Sequence, residues 1–233
     1  MKNFVINEKV FEILPDYCVA IVEAIGLDNK TKNPKVEILL DKNIETFHNK
    51  FSETNIREIS NIKAYRDAFL KLNMNPNKFM CSIEALGKRV QKSNGLPHIN
   101  SIVDLGNAMS LKYQLAAGAH DIDKMNSDLE VRFSTVNDLF LPMGETEAET
   151  MPEGELVYAS GNTIKTRRWI WRQSDDGKIT ETSNHVYFPI VGFSSINKDL
   201  MLKAQAELAN FIKTEFNCEV KTGFVDKEHN KLY

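Results

Sequence analysis

The chain is poor in cysteine and has no long apolar run. Its three cysteines, Cys18, Cys81 and Cys218, are odd in number and widely spaced, and none forms a CxxC pair. They predict neither a disulfide framework nor a zinc site, and they favour a reducing cytoplasm. No stretch approaches the roughly 20 apolar residues that a membrane-spanning helix needs. Asn7 and Glu8 come too early for a signal peptide. The sequence therefore predicts a soluble, cytoplasmic protein that does not contact a membrane.

Positive charge and disorder-promoting residues are also scarce. The formal net charge is −3 at pH 7, and seven prolines and eleven glycines in 233 residues are too few for a low-complexity chain. A protein that holds RNA by bulk electrostatics is usually basic. Net charge alone therefore argues against a nucleic-acid partner, and any RNA contact would need a local basic surface.

The common catalytic motifs are missing as well. The sequence has no glycine-rich phosphate-binding loop of either common spacing, no GxSxG elbow and no HExxH motif. Its five histidines do not lie near one another along the chain. We expect no metal and no cofactor, and an active site would have to be assembled from distant segments.

Hydrophobic spacing predicts the secondary structure. The apolar run from Tyr17 to Ile25 is typical of a buried strand, and Asn33-Pro34 is typical of a helix start. Helical spacing predicts helices over 34–51, 59–72, 83–92, 100–113 and 200–212. Strand-like runs occupy 129–133, 155–159, 163–173, 184–190 and 220–224. Asp175-Asp176-Gly177 predicts a hairpin turn.

The order of these elements predicts the fold class. Strands follow one another without helices between them, which indicates an α+β fold with a mostly antiparallel sheet and flanking helices. We expect one domain over 1–233, helix-rich in 1–125 and strand-rich in 126–193. A C-terminal helix and strand would fill 194–233.

A polar stripe lies on the helix predicted over 100–113. Asn100, Asp104 and Asn107 fall on one helical face. Asn and Asp are poor residues inside a helix because their side chains compete for backbone groups. The stripe favours a helix that faces both a core and a polar cavity. Alternatively, Asn100 and Asp104 are structural and tie the helix to a neighbouring loop, and His120 is a turn residue that caps the helix end.

A basic aromatic run extends from Ile164 to Gln173. Four cations surround both tryptophans of the chain, with no acidic residue among them. In a continuous strand, Arg167, Trp169 and Trp171 would share one face. Such a face suits single-stranded RNA, whose bases stack on aromatic rings while its phosphates pair with arginine. The alternative is that the tryptophans belong to the core and the arginines pair with carboxylates elsewhere.

These segments together resemble a known family. Residues 97–107 match the PxxNxxVDxxN signature of the B3/B4 editing domain of the phenylalanyl-tRNA synthetase beta subunit. The whole chain is similar to free-standing B3/B4-domain proteins over roughly residues 15–215. The further segments that carry this resemblance are Tyr65-Arg66, Ser82 to Leu86 with Lys88-Arg89, Gly154 to Tyr158, and Arg168 to Gln173.

The resemblance implies a pocket for the aminoacyl end of a tRNA, in which a positioned water hydrolyses the ester of a mischarged amino acid in trans. It implies a tRNA partner and names no synthetase partner. The catalytic residues implied are Asn107, His120 and Asp121. The substrate-binding residues implied are Asn100, Asp104, Gly106, Gly118 and Trp171. The RNA-binding residues implied are Arg167, Arg168, Trp169, Arg172 and Gln173.

Three positions depart from the family pattern. Gly106 stands where the synthetase domain usually has a pocket threonine, and Gly118 stands where it has a histidine. The glutamate that selects the tyrosine hydroxyl aligns near Pro189. A tyrosyl substrate is therefore not expected, and a small or hydroxylated amino acid fits better. Two alternatives stay open on the same fold: a non-catalytic RNA-binding module, and a small-molecule pocket protein without an RNA partner.

Overall fold

A computed structural model describes residues 2–93 and 95–233 of the chain. The α-helices in these residues are α1 (Glu8–Ile13), α2 (Pro34–Phe51), α3 (Ser60–Lys71), α4 (Ser82–Ser93), α5 (Ser101–Tyr113) and α6 (Lys198–Phe216). A short 3-10 helix, Ile56–Glu58, precedes α3. No helix in the described part of the chain is long and apolar enough to cross a bilayer.

The strands form two sheets. The first five are β1 (Phe4–Ile6), β2 (Tyr17–Ile25), β3 (Ala116–Ala117), β4 (His120–Asp121) and β5 (Leu129–Phe133). Those that follow are β6 (Leu139–Phe140), β7 (Glu149–Thr150), β8 (Leu156–Ser160), β9 (Thr163–Arg167), β10 (Arg172–Gln173), β11 (His185–Phe193) and β12 (Glu219–Val225). A seven-stranded sheet has the order β1-β5-β8-β9-β6-β7, with β10 paired to β9. A five-stranded sheet has the order β12-β2-β11-β3, with β4 paired to β11.

The predicted α+β class is confirmed. Pairing in the described strands is antiparallel except between β1 and β5 and between β6 and β9. The prediction named one sheet, whereas the strands divide between two. The expectation of one domain over 1–233 stays a prediction.

Strand β2 is an inner strand of the five-stranded sheet, between β12 and β11. It is buried along almost its whole length because both of its faces are covered. Tyr17, Val19 and Ile21 point into one hydrophobic cluster with residues of α2 and α3. Cys18 and Ala20, on the opposite face, join a second cluster with residues of α6. This double cover explains why the run is apolar except at Glu23, and it confirms the strand that the run predicts.

The helix boundaries follow from their capping residues. The Asn33 side chain accepts a hydrogen bond from the Lys35 backbone N–H at 3.0 Å, and Pro34 opens α2, as predicted. Helices α3, α4 and α5 begin and end within one residue of their predicted bounds. Helix α6 is longer than predicted and runs to Phe216.

The continuous strand predicted over 163–173 is wrong. Strand β9 ends at Arg167, the chain turns through residues 168–171, and β10 returns antiparallel to β9. Arg168 and Trp169 adopt left-handed backbone conformations, with φ of 48° and 60°. The hairpin turn predicted at Asp175-Asp176-Gly177 is wrong too, because those residues follow β10 and the next strand, β11, does not pair with it.

Candidate functional site

A cavity of about 270 Å³ lies between the two sheets. Helix α5 forms one wall, strands β3, β4 and β11 form a second, and the turn between β9 and β10 forms a third. The lining is largely apolar and includes Ile102, Val103, Ile179 and Val191. Pockets for drug-sized ligands span roughly 300–1,000 Å³. This cavity is smaller, and its size suits a group comparable to one amino acid.

Helix α5 brings Gly106 and Asn107 to the cavity wall. The helix starts after Asn100 and ends at Gln114, which has a left-handed conformation with φ of 52°. Asn107 is half-buried and lines the cavity. A Cβ built on Gly106 would meet no heavy atom within 4 Å, and the same holds for Gly118. The two glycines therefore leave cavity space that larger side chains would fill.

Strand β4 places His120 and Asp121 differently. Adjacent side chains of a strand point to opposite faces. His120 lines the cavity, whereas Asp121 does not. The Asp121 carboxylate accepts a hydrogen bond from Ser183 Oγ at 2.5 Å and lies 3.6 Å from Lys124 Nζ. The predicted catalytic role of Asp121 is therefore not met by its position, because its carboxylate binds the neighbouring loops.

The imidazole of His120 is buried and uncharged. Only 4% of the residue is exposed, and the ring stacks on Tyr158 with 5.2 Å between centroids. Burial, with a smaller contribution from the positive charge of Lys165, lowers the pKa of His120 to about 3. Its Nδ1 has no hydrogen-bond partner among the described residues. At neutral pH the ring therefore offers the cavity wall a neutral donor and acceptor, not a cation.

The turn after β9 separates the two tryptophans. Trp169 is 0% exposed, and its Nε1 donates to Tyr17 Oη at 3.2 Å. Trp171 is only partly buried and lies at the cavity edge. The predicted stacking of RNA on Trp169 is contradicted, because its indole is enclosed by the core. The core alternative is correct for Trp169 and not for Trp171.

The Glu155 carboxylate holds this turn in place. It accepts hydrogen bonds from the Arg168 backbone N–H at 3.1 Å and from Arg167 Nε at 3.0 Å. The Trp169 backbone N–H donates to the Leu156 carbonyl at 2.6 Å. These contacts stabilise two left-handed residues that would otherwise be strained. Arg167 also pairs with Glu149 at 3.2 Å, so its guanidinium is occupied within the protein.

The remaining residues predicted to bind RNA lie closer to the cavity. Arg172 and Gln173 line it, and Arg172 is exposed. Gln173 Nε2 donates to the carbonyls of Ala119 and Gly177, both at 2.9 Å. Gln173 therefore joins the turn to β4, while Arg172 is free to face solvent at the cavity edge.

Asn100 and Asp104 do not reach the cavity. The Asn100 side chain caps α5 by accepting from the Val103 backbone N–H at 3.0 Å. Asp104 accepts from the Ile99 backbone N–H at 2.9 Å and lies 3.0 Å from His98 Nδ1. The structure therefore places this pair away from the cavity, and their contacts fit the structural alternative. Asn107 alone of the polar stripe faces the cavity.

Among the lining residues that sequence reasoning missed, three carry a side-chain hydroxyl. Ser82 begins α4, Tyr158 lies on β8 and Thr166 lies on β9. Tyr158 and Ser82 do fall within segments that carry the family resemblance, and this was the available signal. Thr166 sits between cations and gave no signal of its own. The described residues contain no cluster of His, Cys, Asp and Glu that could hold a metal ion.

Comparison with known proteins decides the family. The B3/4 domain family matches residues 64–214, well over half of the chain. The chain belongs to the B3/4 domain family. The crystal structure of an N-terminal fragment of the phenylalanyl-tRNA synthetase beta-subunit from Pyrococcus horikoshii is 13% identical, with a TM-score of 0.41. That likeness covers 93% of this chain and 49% of the fragment, so this chain spans about half the fragment's length. No curated protein matches the chain.

The cavity lies inside the B3/4 match. Every residue that lines it falls between Ser82 and Val191, within the matched residues 64–214. Strands β1 and β2, helices α1 and α2, and strand β12 lie outside the match. Among these outer elements, β2 and β12 complete the five-stranded sheet and β1 lies at the edge of the seven-stranded sheet, while the residues of the B3/4 match line the cavity.

Proposed function

We propose that this B3/4 domain binds aminoacylated tRNA and hydrolyses the ester of a mischarged amino acid. The observation that carries the proposal is the convergence of Asn107 and His120 on one small cavity, with Trp171 and Arg172 at its edge. An amino acid would enter the cavity, and the attached RNA would remain outside. Family membership and the resemblance to synthetase editing domains support the same activity.

The chemistry proposed is direct attack by water. The water oxygen adds to the ester carbonyl carbon, the bond from that carbon to the ribose oxygen breaks, and a proton from the water ends on the ribose oxygen. Negative charge develops on the carbonyl oxygen. The Asn107 amide and the neutral His120 imidazole are N–H donors that can stabilise this charge in a largely apolar site. Positioning of the water supplies a further part of the acceleration.

A thiol nucleophile does not fit this site. Burial raises the pKa of both Cys18 and Cys81 to about 12, so each stays a protonated thiol at neutral pH. Neither residue lines the cavity. These facts argue against a covalent thioester intermediate.

The cavity walls favour a small amino acid. Apolar residues form most of the lining. Its two glycines, Gly106 and Gly118, leave a small amount of open space beside them. Thr166 and His120 add polar atoms. A ligand hydroxyl would find these polar atoms as hydrogen-bond partners in an otherwise largely apolar wall. We propose a small or hydroxylated aminoacyl group.

The test is the release of amino acid from a panel of mischarged tRNAs. The wild-type protein should deacylate one or two members rapidly, and Asn107→Ala should lower that rate by about 100-fold or more, as expected for loss of one oxyanion donor. Asn162→Ala removes the same side chain from an exposed turn and should have no effect. Circular dichroism checks that both variants are folded.

The non-catalytic alternative has one observation in its favour. Asp121 lies outside the cavity, and no other Asp or Glu among the described residues lines it, so the site has no carboxylate base. If every ester survives at the rate in buffer alone, hydrolysis is contradicted. Retained, saturable tRNA binding would then support an RNA-binding module, and absence of binding would support a small-molecule pocket protein.

A further inference from the structure

Glu84 is a buried carboxylate surrounded by an excess of positive charge. It is 0% exposed and accepts from Arg66 Nη1 at 2.9 and 3.0 Å and from Lys88 Nζ at 2.6 Å. Arg57 Nε lies 3.7 Å away. A buried charge needs a partner, and one cation would neutralise it. Three cations on one carboxylate leave a net positive surface, since Arg57 and Lys88 are partly open to solvent.

This cluster is connected to the cavity edge by residues 76–80. Arg66 donates to the Pro76 carbonyl at 3.0 Å and to Asn77 Oδ1 at 2.8 Å. At the other end, the Phe79 ring packs edge-on against Trp171 with 5.1 Å between centroids. The Glu84 cluster and the cavity edge therefore lie on one continuous surface.

Aromatic faces alternate with cations along this surface. The Arg168 guanidinium carbon lies 3.9 Å from the Phe79 ring centroid and 4.8 Å from the Trp171 ring centroid. Lys78 Nζ lies 5.3 Å from the Phe79 centroid, and the Arg172 guanidinium carbon lies 4.8 Å from the Trp171 centroid. Phe79 is only partly buried, so part of its ring is open to a ligand.

We call one set of residues the basic ridge: Arg57, Arg66, Lys78, Phe79, Lys88 and Arg168. Salt bridges within the described chain join four of its five cations, all but Lys78, to two carboxylates, Glu84 and Glu155. The whole chain has a formal net charge of −3, so this positive charge is local. A cationic face on an acidic protein is a selective surface for a polyanion.

We propose that the basic ridge binds single-stranded RNA next to the cavity and directs its end towards Trp171. The RNA partner rests on the proposed function. Arginine and lysine side chains pair with phosphates, and aromatic rings stack on bases irrespective of sequence. An acidic protein segment would use the cations but would leave the Phe79 and Trp171 rings without base partners. RNA is therefore the ligand that uses every exposed group of the ridge.

The test is the binding of tRNA and of a short single-stranded RNA at several salt concentrations. The double variant Arg57→Gln/Lys88→Gln leaves Arg66 to neutralise Glu84, so the fold should persist. Its affinity should fall, and the slope of log K against log salt should become shallower by roughly 0.7 for each lost phosphate contact. Lys203→Gln/Lys213→Gln removes two exposed lysines from α6 and should change neither quantity.

Stacking is tested separately with Phe79→Leu. Loss of one stacked base should weaken binding by about fivefold or more and leave the salt slope unchanged. Equal affinity and an equal slope for wild type and the double variant would overturn the proposal. So would equal competition by polyglutamate, which carries charge but no bases.

Hydrolysis assays separate this proposal from the catalytic one. The double variant should hydrolyse a short aminoacyl-adenosine ester at the wild-type rate while deacylating tRNA more slowly. If the wild type hydrolyses no ester yet binds RNA through these residues, the catalytic proposal fails and the basic ridge stands. If esters are hydrolysed and RNA binding ignores both ridge variants, the ridge proposal fails alone.

Discussion

His120 is the residue whose environment most constrains the chemistry. Its ring is buried against Tyr158, and its pKa is lowered to about 3. A base this weak accepts protons poorly at neutral pH, but a neutral imidazole can donate a hydrogen bond. In the proposed mechanism, His120 therefore donates a hydrogen bond to the carbonyl oxygen and abstracts no proton.

The lowered pKa of His120 makes a prediction about stability. In the unfolded chain, His120 binds a proton below its ordinary pKa of about 6.5. In the folded chain it binds one only below about pH 3. The free energy of unfolding should therefore decrease as pH falls from about 6.5 towards 3, by up to about 1.4 kcal/mol per pH unit from His120. Urea unfolding at pH 7.0, 6.0 and 5.0 measures it.

The His120→Gln variant is the matched control for that prediction. Its free energy of unfolding should depend less on pH over the same range, because glutamine does not titrate. Carboxylates contribute equally to both proteins, so the difference between the two slopes isolates His120. Identical slopes would contradict a neutral, buried imidazole.

At the scale of elements, helix α5 contains a residue whose identity directly affects the size of the cavity. Its interior glycine, Gly106, lowers helix stability and opens cavity space at the same point. A helix designed for stability alone would carry a larger residue there. The glycine is consistent with a requirement for room beside Asn107.

Two glycine substitutions test this interpretation. Gly106→Ala should raise the free energy of unfolding by about 0.5–1 kcal/mol, because its Cβ would meet no heavy atom within 4 Å. It should also weaken binding of larger aminoacyl groups. Gly87→Ala in α4 is the control and should destabilise, since its Cβ would lie 2.8 Å from a ring carbon of Phe47. Thermal unfolding measures the stability of both variants. Destabilisation by Gly106→Ala would contradict the interpretation that the space beside Gly106 is open.

Helices and buried strands were predictable because their signals are local. Asn33 and Pro34 define the start of α2 within two residues, and only Glu23 interrupts the apolar run of β2. Short strands such as β1 escaped prediction. Its three residues pair with β5 more than 120 residues away, and three residues carry no readable period.

The turn at the end of β9 escaped prediction for a different reason. The run from Thr163 to Gln173 has the composition of a strand, and neither Arg168 nor Trp169 favours a left-handed backbone. The conformation depends on Glu155, which lies in another strand connection, and on the core site that receives the Trp169 ring. Tertiary contacts here override local preference, and no pattern in the run itself reveals them.

At the scale of the whole molecule, the site is assembled from segments that are distant in sequence. Its lining begins at Ser82 in α4 and ends at Val191 in β11. Family resemblance brought Asn107 and His120 to attention, and the structure places both at one cavity. The resemblance could not distinguish these two residues from Asn100, Asp104 and Asp121, because capping and loop-binding roles depend on contacts that a sequence does not display.

If the proposed function is correct, the cavity receives the aminoacyl group of an RNA 3′ end. Trp171 is only partly buried and lines the cavity, so its emission is sensitive to a ligand that enters. The measurement is a fluorescence titration with aminoacyl-adenosine analogues in which a stable amide replaces the ester. Adenosine alone and the free amino acid serve as ligand controls.

A saturable change in tryptophan emission is expected with the preferred aminoacyl analogue. The dissociation constant should rise by about tenfold in Asn107→Ala, in keeping with the loss of one buried hydrogen bond. An emission change of equal size and affinity with adenosine alone, or no change with any aminoacyl analogue, would contradict an aminoacyl pocket at this site.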